Sequence, residues 1–411
     1  PFYKEAEVDL VVGSTVWVAT ERIDVEQKNK VREVDSATIS LSNEMAAITE
    51  KLQLPTTDKN VAVIKKFLKK KVRRLAGWVL DEKKAYRQIP VRPEHRRFTV
   101  VAMMDPTKKK LAYFVMISHS FGLTAAVYNY NRRSALLNEF MVKLLKVPAM
   151  SYYDDKFGFE PTGMAETAHE IVKGIHKVLG AGFEEAKCQT GDKLDILGVT
   201  YDLAKLKIQI KDERKKEVIA SIDKILSEGV LERGTAGKLK GVLQFVGSQM
   251  WGKVGRAFLL ALSERQYAKD ANKAISPEIE AALKVWRHLI VKGRARDLEV
   301  EEDDENDVVI FTDGSWPEPG QDSKPMIGAV VFDKVKGKAW STSMTAPEDL
   351  IREWLPRKTQ IAMVEMLAPI VVNEVFKEEL KGRKAILFVD SESVEGALIK
   401  GYSARSDMTW L

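Results

Sequence analysis

Residues 150–159 read Met150-Ser151-Tyr152-Tyr153-Asp154-Asp155-Lys156-Phe157-Gly158-Phe159, and the fold turns on them. Apolar and aromatic residues flank two adjacent aspartates. That pattern suits a β-hairpin whose turn presents carboxylates, because Asp readily bonds its own backbone in turns. An Asp-Asp turn alone is ordinary. A second stretch upstream, Trp78–Val91 (WVLDEKKAYRQIPV), changes its meaning. There an apolar strand runs to Leu80 and delivers Asp81 at its end. If the two strands are neighbours, Asp81 converges on Asp154 and Asp155. Converging carboxylates repel one another and call for cations. Hard oxygen ligands in that arrangement suit Mg²⁺. Two such ions ~3.5–4 Å apart clamp the attacking and leaving oxygens of an in-line phosphoryl transfer.

Working outward, Phe98–Met103 and Leu111–Ile117 are β-rich runs around a lysine-bearing turn and read as a second hairpin. Thr124–Leu145 and Glu166–Leu179 carry helical signals. Leu194–Tyr201 and Leu206–Ile210 read as two further strands. Val218, Ile219, Ile222, Ile225 and Leu226 form an apolar stripe at helical spacing, and Leu239–Phe245 and Ala257–Leu262 continue the helical region.

The run Glu299–Asp307, EVEEDDEND, repels itself and reads as a linker. Beyond it Val308–Ser315 (VVIFTDGS) is an apolar strand that delivers Asp313. Gln360–Phe376 reads as a helix with Glu365 at the edge of its buried stripe. Ala385–Ser391 (AILFVDS) is another strand ending in an aspartate, Asp390. Singly these are commonplace strand-end turns. A carboxylate beside a buried stripe is costly unless paired or metal-bound, and three in strand, helix, strand order suggest a shared site. Strands at 308–312, 328–333, 339–344 and 385–389 with helices at 360–376 and 394–400 predict a mixed sheet with helices on its faces.

Composition sets the bounds. The chain has 411 residues, 45% hydrophobic and 30% charged, which is enough apolar material for real cores and excludes wholesale disorder. No apolar stretch approaches the ~18 residues of a membrane helix. One cysteine, Cys188, excludes an internal disulfide framework and a Cys-rich zinc site, and the five histidines lack metal-ligand spacing. Net charge is +6, with basic runs at Lys65–Arg74, Lys108–Lys110 and Lys292–Arg296. One such run is usually a solvated face; three favour a polyanion partner. There is no Walker loop, nucleophile elbow or metal-binding His pair, which leaves a kinase or α/β hydrolase without support.

From about Lys30 to Tyr201 the chain resembles the fingers and palm of reverse transcriptases. Asp81 with Ala85-Tyr86 resembles the first palm motif, Ser120–Thr124 the segment beside template and incoming nucleotide, and Tyr152–Asp155 the Tyr-x-Asp-Asp hairpin. Lys187 stands where the family places a lysine near the pyrophosphate, Leu197–Val199 where the primer grip begins, and Lys30-Val31-Arg32 where fingertip basic residues touch nucleotide phosphates. The runs Ala85–Phe98 (AYRQIPVRPEHRRF) and Ser120–Arg132 (SFGLTAAVYNYNR) are closest to the DIRS-like group of retrotransposons. The C-terminal order of Asp313, Glu365 and Asp390 resembles RNase H. That family has a fourth carboxylate for which Asp407 comes too soon, so this domain is expected to be incomplete.

The resemblance implies an α+β fold: a polymerase right hand followed by a C-terminally truncated RNase H-like α/β domain. Its expected divisions are 1–76 (N-terminal segment and fingers), 77–205 (palm with part of the fingers), 206–298 (helical thumb and connection), 299–307 (linker) and 308–411 (RNase H-like). It implies that Asp81, Asp154 and Asp155, and separately Asp313, Glu365 and Asp390, are catalytic and each bind two Mg²⁺, with Mn²⁺ as the alternative. Tyr86 is the expected steric gate against a ribose 2′-OH, with a core tyrosine as the plain alternative. Gln88, Phe121 and Gly122 are expected beside template or nucleotide, Lys30 and Arg32 at the triphosphate, and Lys187 at the leaving pyrophosphate unless it is an ordinary surface lysine. The implied partners are an RNA template, a DNA primer, an RNA–DNA hybrid and dNTPs, with no membrane; oligomeric state stays open. The implied setting is intracellular, cytoplasmic or nuclear, not secreted. Two departures stand out. Asp35 is a doubtful equivalent of the fingertip Asp, and Glu82 follows Asp81 where a hydrophobic residue is usual, either disturbing metal occupancy or pointing to solvent. The competing readings are a decayed or domesticated element that binds nucleic acid without catalysis, and a polymerase that makes RNA, which the bulky Tyr86 opposes.

Overall fold

The computed structural model describes residues 3–5, 19–27, 30–105, 107–270, 272–299, 307–318 and 323–411, with side chains outside the description at 3–5, 19–27 and 30–33. Contacts divide the chain into two units, residues 1–209 with 297–299, and residues 210–296 with 300–411.

The first unit begins with β1 (Tyr3–Glu5), β2 (Ala19–Gln27), β3 (Lys30–Asp35), α1 (Thr57–Lys69) and β4 (Leu75–Asp81). Next come β5 (Val100–Asp105), β6 (Lys110–Met116), α2 (Thr124–Lys143), β7 (Ala149–Tyr152), β8 (Asp155–Pro161) and α3 (Ala165–Val178). It ends with β9 (Gln189–Gly191), β10 (Lys193–Ile196), β11 (Val199–Asp202) and β12 (Lys207–Ile210). One sheet has the order β1-β6-β5-β2-β3, and its β5–β6 pair is the hairpin expected from the sequence. A second sheet, which carries Asp81 and Asp155, has the order β7-β8-β4-β9.

Every residue of β4 except Asp81 is buried. A strand covered on both faces reads as an unbroken apolar run, as LAGWVL does. On one face Trp78 and Leu80 pack with Met141, Ala168 and Val172 of α2 and α3. On the other, Phe157 and Phe159 of β8 are fully buried, with Phe159 5.3 Å from the ring of Tyr201. Each such side chain contributes roughly 1.5–3 kcal/mol on burial. The Tyr201 hydroxyl accepts a 2.9 Å hydrogen bond from Asn60 of α1, which ties that helix to the sheet.

One expectation is corrected. Leu194–Tyr201 is not a single strand but the antiparallel pair β10–β11, joined at Leu197 and Gly198. Both turn residues have positive φ (52° and 77°), the backbone twist that suits a two-residue hairpin.

The second unit starts with four helices, α4 (Asp212–Glu228), α5 (Arg233–Met250), α6 (Leu259–Tyr267) and α7 (Pro277–Lys292). They close around Ile222, Leu243, Leu262, Leu283 and Trp286. Ser276 caps α7 by accepting from the Ile279 amide, and Pro277 begins the helix. The chain then returns to the first unit, where a short β13 (Arg296–Asp297) completes the sheet order β10-β11-β12-β13. Then follow β14 (Val308–Ser315), β15 (Met326–Asp333), β16 (Lys338–Thr345), α8 (Glu348–Arg352), α9 (Ile361–Val375), α10 (Lys377–Leu380), β17 (Ala385–Phe388), α11 (Glu392–Lys400) and α12 (Ser406–Trp410). The sheet order is β16-β15-β14-β17, antiparallel except for the parallel β14–β17 pair. This is the mixed sheet expected from the sequence. α9 covers one face through Val364, Leu367 and Ala368. The other face leaves Phe311, Phe332 and Phe388 each more than 40% exposed, with Phe311 stacked on Phe388 at 4.8 Å. Among the described residues no helix is long and apolar enough to cross a membrane.

Candidate active site

Antiparallel pairing of β4 with β8 sets Asp81 directly opposite Asp155. Pairing of β7 with β8 sets Tyr152 opposite Asp155, which leaves Tyr153 and Asp154 as a two-residue turn. Tyr153 has φ 52°, and the Asp154 carbonyl accepts a 2.9 Å hydrogen bond from the Glu82 amide. Strand register and turn therefore bring Asp81, Asp154 and Asp155 to one place.

The cluster carries electrostatic strain. Burial, then the Asp154 and Asp81 charges, push the Asp155 carboxyl up to about 6. Asp154 lies at the exposed turn, yet loss of hydration and the Asp81 charge raise its pKa too. Either a proton or a cation relieves such crowding. Lys187 supplies part of the relief: its Nζ donates to Asp81 Oδ2 at 2.6 Å, which raises the lysine's own pKa. The lysine side chain is about half exposed even so. Hard oxygen donors that repel one another fit a divalent cation chemically. Among the described residues, no three His, Cys, Asp or Glu side chains are already gathered as a ready-made metal cage.

Tyr86 borders the cluster, its ring edge-on to Phe121 (5.1 Å) and to Tyr130 (5.2 Å). Burial, Asp154 and Tyr153 push its hydroxyl up to about 12, so it stays protonated. The Phe121–Gly122 segment is held from the side. The Phe121 carbonyl accepts from the Asp35 amide at 2.9 Å, and Asn43 bonds both the Gly122 carbonyl and the Thr124 amide. Gly122 has φ 104°, and a Cβ there would lie 1.9 Å from the Asp35 carbonyl oxygen, so only glycine fits. Asp35 is buried and secures this loop through its backbone. Gln88 bonds the backbone at Lys83 and Gly182, joining two loops beside the cluster. Lys30 and Arg32 lie on β3, with side chains outside the described residues.

Glu82 neither joins the carboxylate cluster nor points to solvent. It is 1% exposed and accepts from the Tyr130 hydroxyl (2.6 Å) and from Arg133 (2.5 Å), with Lys156 at 3.5 Å. Burial alone would raise its carboxyl, but Lys156, Tyr130 and Arg133 bring it below the ordinary value. Burial brings Lys156 down to about 8. Sequence reading missed Lys156, Tyr130, Arg133 and Asn43. The available signal was a charged residue immediately after each of two aspartates in otherwise apolar strands.

In the second unit, Phe311 pairs with Phe388 across parallel strands; Asp313 follows two residues later on β14, and Asp390 two residues later, just past the end of β17. Glu365 comes from α9, whose backbone presses on Gly314: a Cβ on Gly314 would lie 2.7 Å from the Glu365 nitrogen. The fold thus brings the strands and helix of Asp313, Glu365 and Asp390 together. Asp313 is exposed, its Oδ1 accepting from the Gly314 amide at 2.8 Å, and it borders an open depression of about 430 Å³ shared with Phe311, Val330 and Ser343. Asp407, which comes too early for a fourth carboxylate, pairs instead with Arg357 at 2.5 Å.

No protein-family model and no curated protein matches the chain. Solved structures do. A foamy viral protease-reverse transcriptase dRH in complex with double-stranded DNA aligns over 94% of this chain and 61% of its own, at 14% identity and TM-score 0.53. A foamy viral protease-reverse transcriptase in complex with an RNA/DNA hybrid aligns over 97% of this chain and 49% of its own, at 12% identity and TM-score 0.52. This chain has a reverse transcriptase fold. It combines a polymerase right hand with an RNase H-like domain, and it spans roughly half to three-fifths of the foamy viral chains.

Proposed function

We propose that the chain is an RNA-directed DNA polymerase of a retroelement, extending a primer 3′-OH with dNTPs on an RNA template. The observation that carries this reading is Asp81 opposite Asp155, with Asp154 in the adjoining turn, on a reverse transcriptase fold. In the reaction the 3′-oxygen bonds to the α-phosphorus of the nucleotide as the bond to pyrophosphate breaks. Asp81, Asp154 and Asp155 would hold Mg²⁺, or Mn²⁺ in its stead, which would lower the pKa of the attacking hydroxyl and neutralise charge on the leaving group. Lys187, protonated beside Asp81, would give its Nζ proton to the departing pyrophosphate. Tyr86, fixed between Phe121 and Tyr130, bounds the sugar side and disfavours a 2′-OH. The rest is positioning, which supplies most of the rate enhancement in phosphoryl transfer.

Asp313, Glu365 and Asp390 are proposed to serve hydrolysis of RNA in an RNA–DNA hybrid, again with Mg²⁺. Assignment to the DIRS-like group rests on the two sequence runs at Ala85–Phe98 and Ser120–Arg132, and an intracellular setting follows from a retroelement origin. The test is primer extension on an RNA template with dNTPs and Mg²⁺, beside Asp154→Asn. Template-dependent product that the variant fails to make supports the polymerase. RNA binding by folded protein without any extension supports the competing reading, a nucleic-acid-binding remnant.

A further inference from the structure

Two charged residues each follow a candidate ligand by one position, Glu82 after Asp81 and Lys156 after Asp155. Side chains alternate across a strand, and Asp81 opposes Asp155. Glu82 and Lys156 therefore share the opposite face of the same two strands, beneath the carboxylates. Both are sealed from water, at 1% and 2% exposure. The Lys156 ammonium donates to the Tyr130 hydroxyl (3.0 Å), to Ser134 Oγ (2.9 Å) and to the Tyr153 carbonyl (3.2 Å). The last contact is the informative one, because Tyr153 is the positive-φ turn residue just before Asp154. Glu82 grips the same turn from the other strand through its amide on the Asp154 carbonyl.

We propose that the Glu82–Lys156 pair, bridged by Tyr130, is a strut that fixes the Tyr153–Asp154 turn against the end of β4 and so positions Asp154 for nucleotidyl transfer. The proposal rests on the polymerase reading above. Stability gives no reason for the pair, since replacing a buried ion pair by apolar residues of similar volume is often neutral or stabilising. What an apolar pair lacks is a directional donor to the Tyr153 carbonyl. Without it the turn keeps the Glu82 amide on the Asp154 carbonyl but loses its side-chain anchor at Tyr153. The Tyr130 ring also meets Tyr86 edge-on, so the same network fixes the residue that bounds the nucleotide. Glu82, Lys156 and Tyr130 are positioning residues: they act through Asp154 and Tyr86.

The decisive variant is Glu82→Leu/Lys156→Met in the full chain. Its unfolding midpoint, its primer–template Kd, and kcat and KM for single-nucleotide incorporation are measured against the unaltered protein. The expected result is an unchanged or higher midpoint, an unchanged Kd, and a kcat lower by on the order of 10²-fold, the cost of an ångström-scale misplacement. A merely structural role predicts full kcat in this well-folded variant, and that result overturns the proposal. If the double variant does not fold, Tyr130→Phe decides, because it removes the bridging hydroxyl at nearly constant volume. A fall in kcat of about tenfold, the scale of one hydrogen bond to a charged group, supports the strut; full kcat overturns it. Absence of extension by the unaltered protein sinks the polymerase reading, and the strut with it, before any variant is compared.

Discussion

At the end of β4, Asp81 and Asp155 stand on strands whose opposite face holds buried charge. At the end of β14, Asp313 stands beside Thr312 and Gly314, whose face is pressed against an apolar helix. Both regions follow one rule of construction, in which an apolar strand delivers an aspartate at its end. They differ in what sets the height of the carboxylates. In the first unit it is directional hydrogen bonding among Glu82, Lys156, Tyr130 and the Tyr153 carbonyl. In the second it is the distance between α9 and the sheet, fixed by the absence of a side chain at Gly314. Ionic bracing tolerates little substitution of its members but holds a tight turn. Packing tolerates exchange of apolar residues but not added volume.

The comparison breaks most visibly in activity. Asp154→Asn is expected to cut primer extension by about 10³-fold or more, the scale for losing a group that organises charge at a transferring phosphoryl. Steady-state incorporation measures it, and a loss under tenfold removes Asp154 from the chemistry. Next comes stability. Glu82→Ala leaves Lys156 buried without its carboxylate and should cost about 3–5 kcal/mol, whereas Asp313→Ala, at an exposed position, should cost under about 1 kcal/mol. Hydrogen exchange in β4 and β14 reads the two units separately; equal costs would erase the distinction between them.

Gly314→Ala forces a methyl against the Glu365 backbone and should destabilise the second unit by about 1–3 kcal/mol, in the range of overpacked cores. An unchanged melting curve would mean that α9 does not set the geometry of that cluster. The smallest effect isolates burial from charge crowding on β8 itself. Glu160, at the far end of the strand from Asp155, is pushed up to about 7 by burial alone. A folded-state pKa raised above the unfolded value near 4.5 contributes stability that is complete below pH 4.5 and lost as pH rises through about 7. Glu160→Gln should therefore match the unaltered protein at pH 4 and be the more stable of the two at pH 8. A gain of the same size at both pH values would assign the effect to packing instead.

How much of this was legible in the sequence follows from what each feature depends on. Asp81, Asp154 and Asp155 were legible because local signals deliver them: an apolar run that ends in Asp, and a hairpin with Asp-Asp at its turn. The mixed sheet of the second unit was legible for the same reason, through strand and helix order. The Glu82–Lys156 pairing was not, because it depends on register. Only once Asp81 is known to oppose Asp155 does the alternation of side chains force the two charges onto one face. Tyr130 and Arg133 reach Glu82 from 48 and 51 residues away, and Gln88 reaches the Gly182 backbone across 94. No local pattern marks such distant partners. The error at Leu194–Tyr201 has the opposite cause. Leu197 looks like a strand residue, and only its positive φ, shared with Gly198, shows that the chain reverses there.

β17 has a meaning outside catalysis. Among the described residues it pairs only with β14, and Ile386, Leu387 and Phe388 are each more than a third exposed. An uncharged, aromatic-bearing strand with an unpaired edge is a template for adhesion between chains. The residues that bound this segment are Lys384 on one side and Asp390 on the other. Charges at such flanks act as gatekeepers against self-association. Asp390, a candidate ligand from the standpoint of chemistry, is from the standpoint of colloidal behaviour one of the two charges that keep this strand from recruiting another.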